Sequence, residues 1–279
     1  MNRDDEPTDR NEPENDRRPA RRRRDDDDDR RVPKKSSTGM IIGIVAGVFL
    51  AMVLVCGGLI AVLLPAVSKV RDAAARAKSQ NNMKQIGLAQ HNFHDTVGGF
   101  VGPNAVDPTT KEVYAGHSWR VGLLPYIEQD SLYRGIDLSQ PWDSPRNAQF
   151  TGAVVPAYRD PTDANQPTTA TPYRVFVGGG ALFNADGKPV PMSTVSDGLS
   201  NTIMIMEAFD TVPWAKPQEL TYSPTTALPK FGSATAYRGG FSVMMADGSV
   251  RFMRNGVSDA TMRKLIEKAD GQLIGEGEW

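Results

Sequence analysis

His91, His94 and Asp95 form an H-x-x-H-D group. A spacing of three brings both imidazoles near one face of a helix, and two imidazoles with a carboxylate are ligand types that hold zinc. The competing reading is a polar helix end whose histidines hydrogen-bond a following loop, because a metal site needs a third or fourth ligand in defined geometry. His117 is the remaining histidine, and it stands beside Ser118. That pair offers a base next to a nucleophile, yet adjacent residues seldom orient productively and no G-x-S-x-G elbow accompanies them, so Ser118 reads as structural. Asp197-Gly198 and Asp247-Gly248 lie outside any D-x-[DN]-x-[DN]-G pattern and read as tight turns rather than calcium loops. Gly178-Gly179-Gly180 lacks the strand, helix and lysine context of a phosphate loop and reads as a flexible loop. Trp119, Tyr126 and Tyr133, spaced seven apart, read as core rather than as a sugar platform. No nucleophile, base and orienting group come together in the sequence, so neither an enzyme nor a cofactor is expected.

The elements that must position these residues follow from periodicity. From Pro65 to Val97 the chain is rich in Ala, Lys, Arg and Gln, all good helix formers. Val67, Val70, Ala74 and Ala77 make one apolar stripe, and Met83, Ile86, Ala89, Phe93 and Val97 a second at spacings of 3, 3, 4 and 4. The second stripe requires a partner surface, which the remainder must supply. Residues 98–279 are dense in Gly, Pro and Thr and show short alternating runs, the clearest at Phe241–Met253. There Phe241, Val243 and Met245 alternate, and Asp247-Gly248 leads into Val250 and Phe252. Asp-Gly between alternating strands predicts a hairpin with a type I′ turn, which needs positive φ at both central positions. Ser258 caps a predicted helix over Asp259–Ala269 that buries Met262, Leu265, Ile266 and Ala269 and stops at Gly271. A long helix laid on an antiparallel sheet is an α+β layout.

Upstream, Met40–Leu64 is 25 residues without a charge. At ~1.5 Å per residue such a helix slightly exceeds the ~30 Å hydrocarbon core of a bilayer. It is too long and starts too late for a secretory signal, whose apolar region is ~7–15 residues, and a buried core helix rarely needs so long an uncharged run. The chain of 279 residues is almost neutral at net −1, but residues 1–38 hold 12 Lys/Arg and 12 Asp/Glu, leaving 20 of the 32 basic and 21 of the 33 acidic residues to 39–279. Overall basicity therefore gives no case for nucleic acid as a partner. Segment 1–38, with its Arg21–Arg24 and Asp25–Asp29 runs, cannot bury enough apolar surface to offset its ordering entropy and reads as a disordered charged tail. The single cysteine, Cys56, excludes an intramolecular disulfide. The expected organisation is a tail over 1–38, a transmembrane helix over 39–64, a stalk and packing helix over 65–97, and an α+β domain over 98–279. Arg30, Arg31, Lys34 and Lys35 precede the span, and Lys69, Arg71, Arg76 and Lys78 follow it. The additional Arg21–Arg24 favour a cytoplasmic N-terminus under the positive-inside rule, leaving the C-terminal domain outside the cytoplasmic membrane.

Four ordered blocks carry a resemblance: LLPAVSKVRDAAARAKSQNNMKQIGLAQHNFHD (Leu63–Asp95), SWRVGLLPYIEQDSLY (Ser118–Tyr133), SDGLSNTIMIMEA (Ser196–Ala208) and GGFSVMMADGSVRFM (Gly239–Met253). Together they resemble a large bacterial family of pilin-like surface proteins of unknown function, which has a pilin-type N-terminus and a C-terminal H-x9-DG motif and is catalogued as a class of solute-binding proteins. The resemblance implies a membrane-anchored, exported, pseudopilin-like domain, a long helix packed on a sheet, and no known reaction. Several positions depart from the family pattern. Gly39-Met40 fits a pilin-type leader junction, but the fifth residue after Gly39 is Ile44, where the family presents the Glu that neutralises a neighbouring amino terminus in lipid. Tyr237 replaces the histidine of H-x9-DG, while Asp247 and Gly248 remain. Tyr158–Asp163 stands where the family has a Cys-Pro-Ser-Asp element, and the cysteine expected before Asn81-Asn82 is absent.

Two functions compete on this reading. One is a structural or assembly role for a bitopic protein whose partners are the lipid bilayer and protein, including its own copies. The other is an exported module that binds a small solute or a polysaccharide. An exported hydrolase falls behind both for want of a nucleophile and base.

Overall fold

The computed structural model describes residues 37–161, 167–232, 239–272 and 274–275. The expected tail over 1–38 therefore lies outside the described residues up to residue 36, as do Thr162, Asp163 and Tyr237. The chain divides into two units, Met1–Gly58 and Leu59–Trp279.

Helix α1 runs over Thr38–Val97. Its stretch Thr38–Ala61 is long and apolar enough to cross a membrane, and none of it is buried; Met40, Phe49 and Leu54 are exposed. Within the second unit the helix changes character along its length. Val67 and Val70 are exposed, whereas Met83, Ile86, Ala89 and Phe93 are completely buried and Val97 nearly so. The second predicted stripe is thus the packing face, and its period of 3.6 matches a helix that covers one surface.

After α1 come β1 (Asn104–Val106) and β2 (Val113–Ser118), then three short helices, α2 (Trp119–Gly122), α3 (Asp130–Gly135) and α4 (Ala148–Thr151). The remaining elements are β3 (Ala170–Arg174), β4 (Phe176–Val177), β5 (Ile203–Pro213), β6 (Leu220–Thr221), β7 (Gly240–Met245), β8 (Val250–Arg254) and α5 (Asp259–Ile266). An antiparallel sheet in the order β3-β5-β7-β8 forms the centre, with an antiparallel β1-β2 pair and a two-residue parallel β4-β6 pair beside it.

Both faces of that sheet are covered, which explains why every residue of β7 is buried. Met204, Ile205 and Met244 join the core built with Met83, Ile86 and Phe93 of α1. Phe241, Val243 and Met245 join a second core with Met262, Leu265 and Ile266 of α5. The alternation visible in Phe241–Met245 is therefore real, but its other face meets α1 instead of water. At that contact Gly87 admits the hairpin: a Cβ there would lie 2.6 Å from Met244 Sδ.

Three local expectations are corrected. The β7–β8 turn is not type I′. Gly248 N–H donates to Met245 O and Met245 N–H to Ser249 O, enclosing Ala246, Asp247 and Gly248. Gly248 has φ +83, and Asp247 is not among the positive-φ residues. This is the three-residue loop with an αL glycine, and Asp247 Oδ1 holds it by accepting from Ser249 N at 2.8 Å. Helix α5 starts as expected, with Ser258 Oγ accepting from Thr261 N, but ends at Ile266. Glu267 turns extended to bridge Ala181, and Lys268 N–H donates to Gly180 O, so Ala269 falls outside the helix and is exposed. Gly178–Gly180 is a packed turn rather than a flexible loop: all three glycines have positive φ, and a Cβ on Gly179 would lie 2.6 Å from Tyr222 O.

Candidate functional site

The predicted H-x-x-H-D group sits where α1 ends against the segment it has to hold. His91 and His94 do share a face, and both rings pack on Phe100, with centroids 5.2 and 5.1 Å away. His94 Nε2 accepts from Met192 N at 3.4 Å. Its Nδ1 lies 3.7 Å from Asp95 Oδ1, on a carboxylate that is 79% exposed. His91 Nε2 is buried and faces Gly248, where a Cβ would stand 3.4 Å away. Among the described residues, no group of three or more His, Cys, Asp or Glu is arranged to hold a metal ion. The histidines act as shaped packing between α1, Phe100 and the β7–β8 turn.

His117 and Ser118 face different partners. His117 is fully buried, with Nε2 at 2.7 Å from Gln140 O and Nδ1 without a hydrogen-bond partner. Burial pushes its pKa below the usual imidazole value, against the Gln140 and Asp137 carbonyl contacts. Ser118 Oγ accepts from Arg120 Nη1 at 2.6 Å and caps α2. No base reaches the Ser118 hydroxyl through these contacts. Trp119 is wholly buried. Tyr126 and Tyr133 pack partly buried on the same core, and Tyr133 donates to Asp107 Oδ2 at 2.9 Å. Asp197 is a staple: its two carboxylate oxygens accept from Asp270 N at 2.7 Å and Gly271 N at 3.0 Å, tying down the chain that leaves α5. Gly198 has φ +96 and opens the short 3-10 turn Leu199–Asn201.

Two buried polar centres, unforeseen in the sequence, carry the electrostatics of the domain. In the first, Arg120 is completely buried and Glu219 nearly so, with Nη1 and Oε1 2.9 Å apart. Arg120 Nε donates to Tyr173 O at 3.0 Å, and Glu219 Oε2 accepts from Val175 N at 2.9 Å. Tyr158 OH donates to Arg120 O at 2.8 Å. Burial raises the Glu219 pKa, and the Arg120 guanidinium acts in the opposite direction. In the second, Ser79 of α1 donates to Glu207 Oε1, and its Oγ lies 2.9 Å from Tyr173 OH. Ser242 N donates to Glu207 Oε2 at 2.6 Å. Asn82 Nδ2 reaches both Arg159 O at 3.1 Å and Tyr173 OH at 3.3 Å. Burial raises the Tyr173 pKa strongly, so the phenol stays neutral.

A readable signal existed for each centre. Arg120 is a lone charge between Trp119 and Val121, and Glu207 a lone charge in the run Ile203–Phe209. A charge inside an apolar run is buried with a partner or not buried at all. Which partner it takes, 99 residues away in the case of Glu219, is set only by the fold.

With this geometry in hand, the chain matches, over residues 68–188, the model of a family described as "Protein of unknown function (DUF1559)", whose label places it in a bacterial solute-binding class. The matched stretch takes in the packing part of α1, Arg120 and Tyr173, and stops before Glu207, Glu219 and the β7–β8 hairpin. No curated protein and no solved structure matches the chain.

Proposed function

We propose that this is a single-pass protein of the cytoplasmic membrane that displays a pseudopilin-like α+β domain on the external side and serves a structural or assembly role rather than a catalytic one. One observation carries the reading: a single helix contains both a wholly exposed apolar stretch, Thr38–Ala61, and the residues Met83, Ile86 and Phe93 around which the sheet packs. An apolar segment of that length has a lower free energy in lipid than in water. The folded domain supports a non-catalytic role in a second way, because its two buried charged centres are engaged with their own structural partners. Ser118, Arg120, Glu219, Ser79 and Glu207 all spend their hydrogen-bonding capacity on structure. The test is fractionation followed by protease treatment of intact spheroplasts. The chain should remain in the membrane pellet through an alkaline carbonate wash, and its C-terminal domain should be digested from outside. Release by carbonate, or protection of the domain until lysis, overturns the reading. Crosslinking in membranes that traps only monomers would remove the assembly role.

Solute binding is favoured by a separate feature, an exposed groove of about 270 Å³ lined by Gln85, Leu88, Tyr126, Ile127 and Glu128. Leu88 is 64% exposed there, beside an aromatic ring and a carboxylate. Saturable thermal stabilisation by one compound, abolished by Leu88→Asp, would establish that reading; a panel of solutes without effect would dismiss it.

A further inference from the structure

We propose that Lys69 and Arg71 form a collar on α1 that binds anionic phospholipid headgroups; this rests on the membrane anchorage above and adds the lipid class that the anchor selects. The two residues follow Ala61, the end of the apolar stretch, by eight and ten positions. Along a helix that is ~12 and ~15 Å. Every Cα–Cβ bond of an α-helix tilts toward the N-terminus, which here is the direction of the span. The long stems of Lys69 and Arg71 therefore carry their charges back toward the lipid, as basic side chains do when they snorkel. Polar headgroups add roughly 5–8 Å to each side of a ~30 Å hydrocarbon core, so the two cations arrive at the level of the phosphates.

Their surroundings support this assignment. Both side chains are exposed, and no ion pair among the described residues engages either one. From residue 65 to residue 94 the chain has five basic residues, Lys69, Arg71, Arg76, Lys78 and Lys84, against one acid, Asp72. Asp72 offsets one charge of the group. Arg76 is committed elsewhere, its guanidinium carbon 3.9 Å from the centre of the Phe252 ring. Lys84 sits 23 residues beyond Ala61, ~34 Å along the helix and well past a Debye length of ~8–10 Å from the headgroups. Charge, exposure and side-chain direction thus converge on the first two basic residues after the span. The apolar span is continuous with them in sequence, which is why the occupant is lipid rather than a soluble anion.

A basic side chain near an anionic leaflet favours it by about fivefold, and with one of the two charges offset by Asp72 the collar supplies about that factor net. The test reconstitutes the full-length chain in nanodiscs of equal phosphatidylglycerol and phosphatidylcholine, extracts it in mild detergent, and quantifies the retained lipid by mass spectrometry. Phosphatidylglycerol should be enriched several-fold over the bulk ratio, and the enrichment should fall in high salt. Lys69→Glu with Arg71→Glu should return the ratio to that of the bulk, while Lys84→Glu should leave it enriched. Bulk composition around the intact chain overturns the collar, as does enrichment that survives the double variant or disappears equally in Lys84→Glu. A chain that does not enter nanodiscs at all defeats the membrane reading, whereas one that embeds without lipid preference defeats the collar alone.

Discussion

Replacing Glu219 by alanine removes the counter-charge of a guanidinium that has no access to water. The Arg120 side chain is completely buried and that of Glu219 is 4% exposed. After the change Arg120 keeps Ser118 Oγ and Tyr173 O as acceptors but loses its carboxylate. Breaking a buried ion pair from one side costs ~3–5 kcal/mol. Val175 N also loses its acceptor, and an orphaned buried amide costs ~1–3 kcal/mol. The two losses share one carboxylate, so the expected total is about 4–6 kcal/mol, a large part of the ~5–15 kcal/mol that holds a typical domain. At ~2–4 °C per kcal/mol for a domain of this size, Tm should fall by about 10–20 °C. Glu219→Gln, which can still accept from Val175 N, should fall at the smaller end. Arg120→Met with Glu219→Leu buries no charge and should recover most of the loss. The assay is thermal unfolding of the full-length chain in detergent micelles, followed by near-ultraviolet circular dichroism of the buried Trp119 and Trp214. A Tm within 3 °C of the parent for Glu219→Ala, or a double variant no more stable than Glu219→Ala, would refute the reasoning.

Three further outcomes follow from the same contacts. His117 titrates below the ordinary imidazole value of ~6.5 because it is buried; the unfolded chain then takes up a proton that the folded chain refuses. Stability should hold above pH ~6.5 and decline as pH falls toward the lowered folded value, at up to ~1.4 kcal/mol per pH unit, and His117→Asn should flatten that slope in a Tm series. Gly87→Val drives side-chain atoms into a fully buried Met244 and should cost ~1–3 kcal/mol in denaturant unfolding, while Gly43→Val, with nothing within 4 Å, should cost nothing measurable by the same assay. Asp197→Ala frees the amides of Asp270 and Gly271, so hydrogen exchange should accelerate after residue 267 while β5 and β7 remain protected.

What could be read from the sequence was whatever repeats with the geometry of one element. The stripe Met83, Ile86, Ala89, Phe93 and Val97 follows the period of a helix, and its burial was legible because each position is fixed by its neighbours three and four residues away. The β7–β8 hairpin was legible for a similar reason, since Asp-Gly interrupts an alternating run, but the turn type was not. Asp-Gly fits both a two-residue and a three-residue loop, and the pairing of Met245 with Ser249 decides between them. The end of α5 was misplaced because Gly271 is a good local stop, whereas Glu267 leaves the helix earlier to pair with Ala181, 86 residues back. The histidines of α1 share one face, as their spacing predicts; a shared face says nothing about a third donor, which the sequence cannot supply. The Arg120 and Glu207 centres were invisible as pairs, since their partners lie in distant elements, Glu219 in a loop and Ser79 in α1, that only the fold brings near.

The polar centre at Ser79 and Asn82 bears on how this chain holds together without a disulfide. Resemblance implies cysteines just before Asn81 and within Tyr158–Asp163, and those two segments do meet: Asn82 Nδ2 donates to Arg159 O at 3.1 Å. With Cys56 as the only cysteine, no covalent link is available there. A crosslink closing a loop of about that length stabilises by ~2–5 kcal/mol, chiefly by restricting the unfolded chain. The contacts found here act on the folded chain instead, at ~0.5–1.5 kcal/mol net for each hydrogen bond. Asn82 makes two, and Ser79 makes a charge-assisted one to Glu207 besides its contact with Tyr173. Their sum is of the same order as the stabilisation a crosslink there would supply, but it is indifferent to redox state. Asn82→Ala should therefore lower stability by ~1–3 kcal/mol in denaturant titration, and dithiothreitol should shift neither the parent nor the variant midpoint. A parent chain that loses stability on reduction, or an Asn82→Ala variant as stable as the parent, would show that this network does not hold α1 to the segment around Arg159.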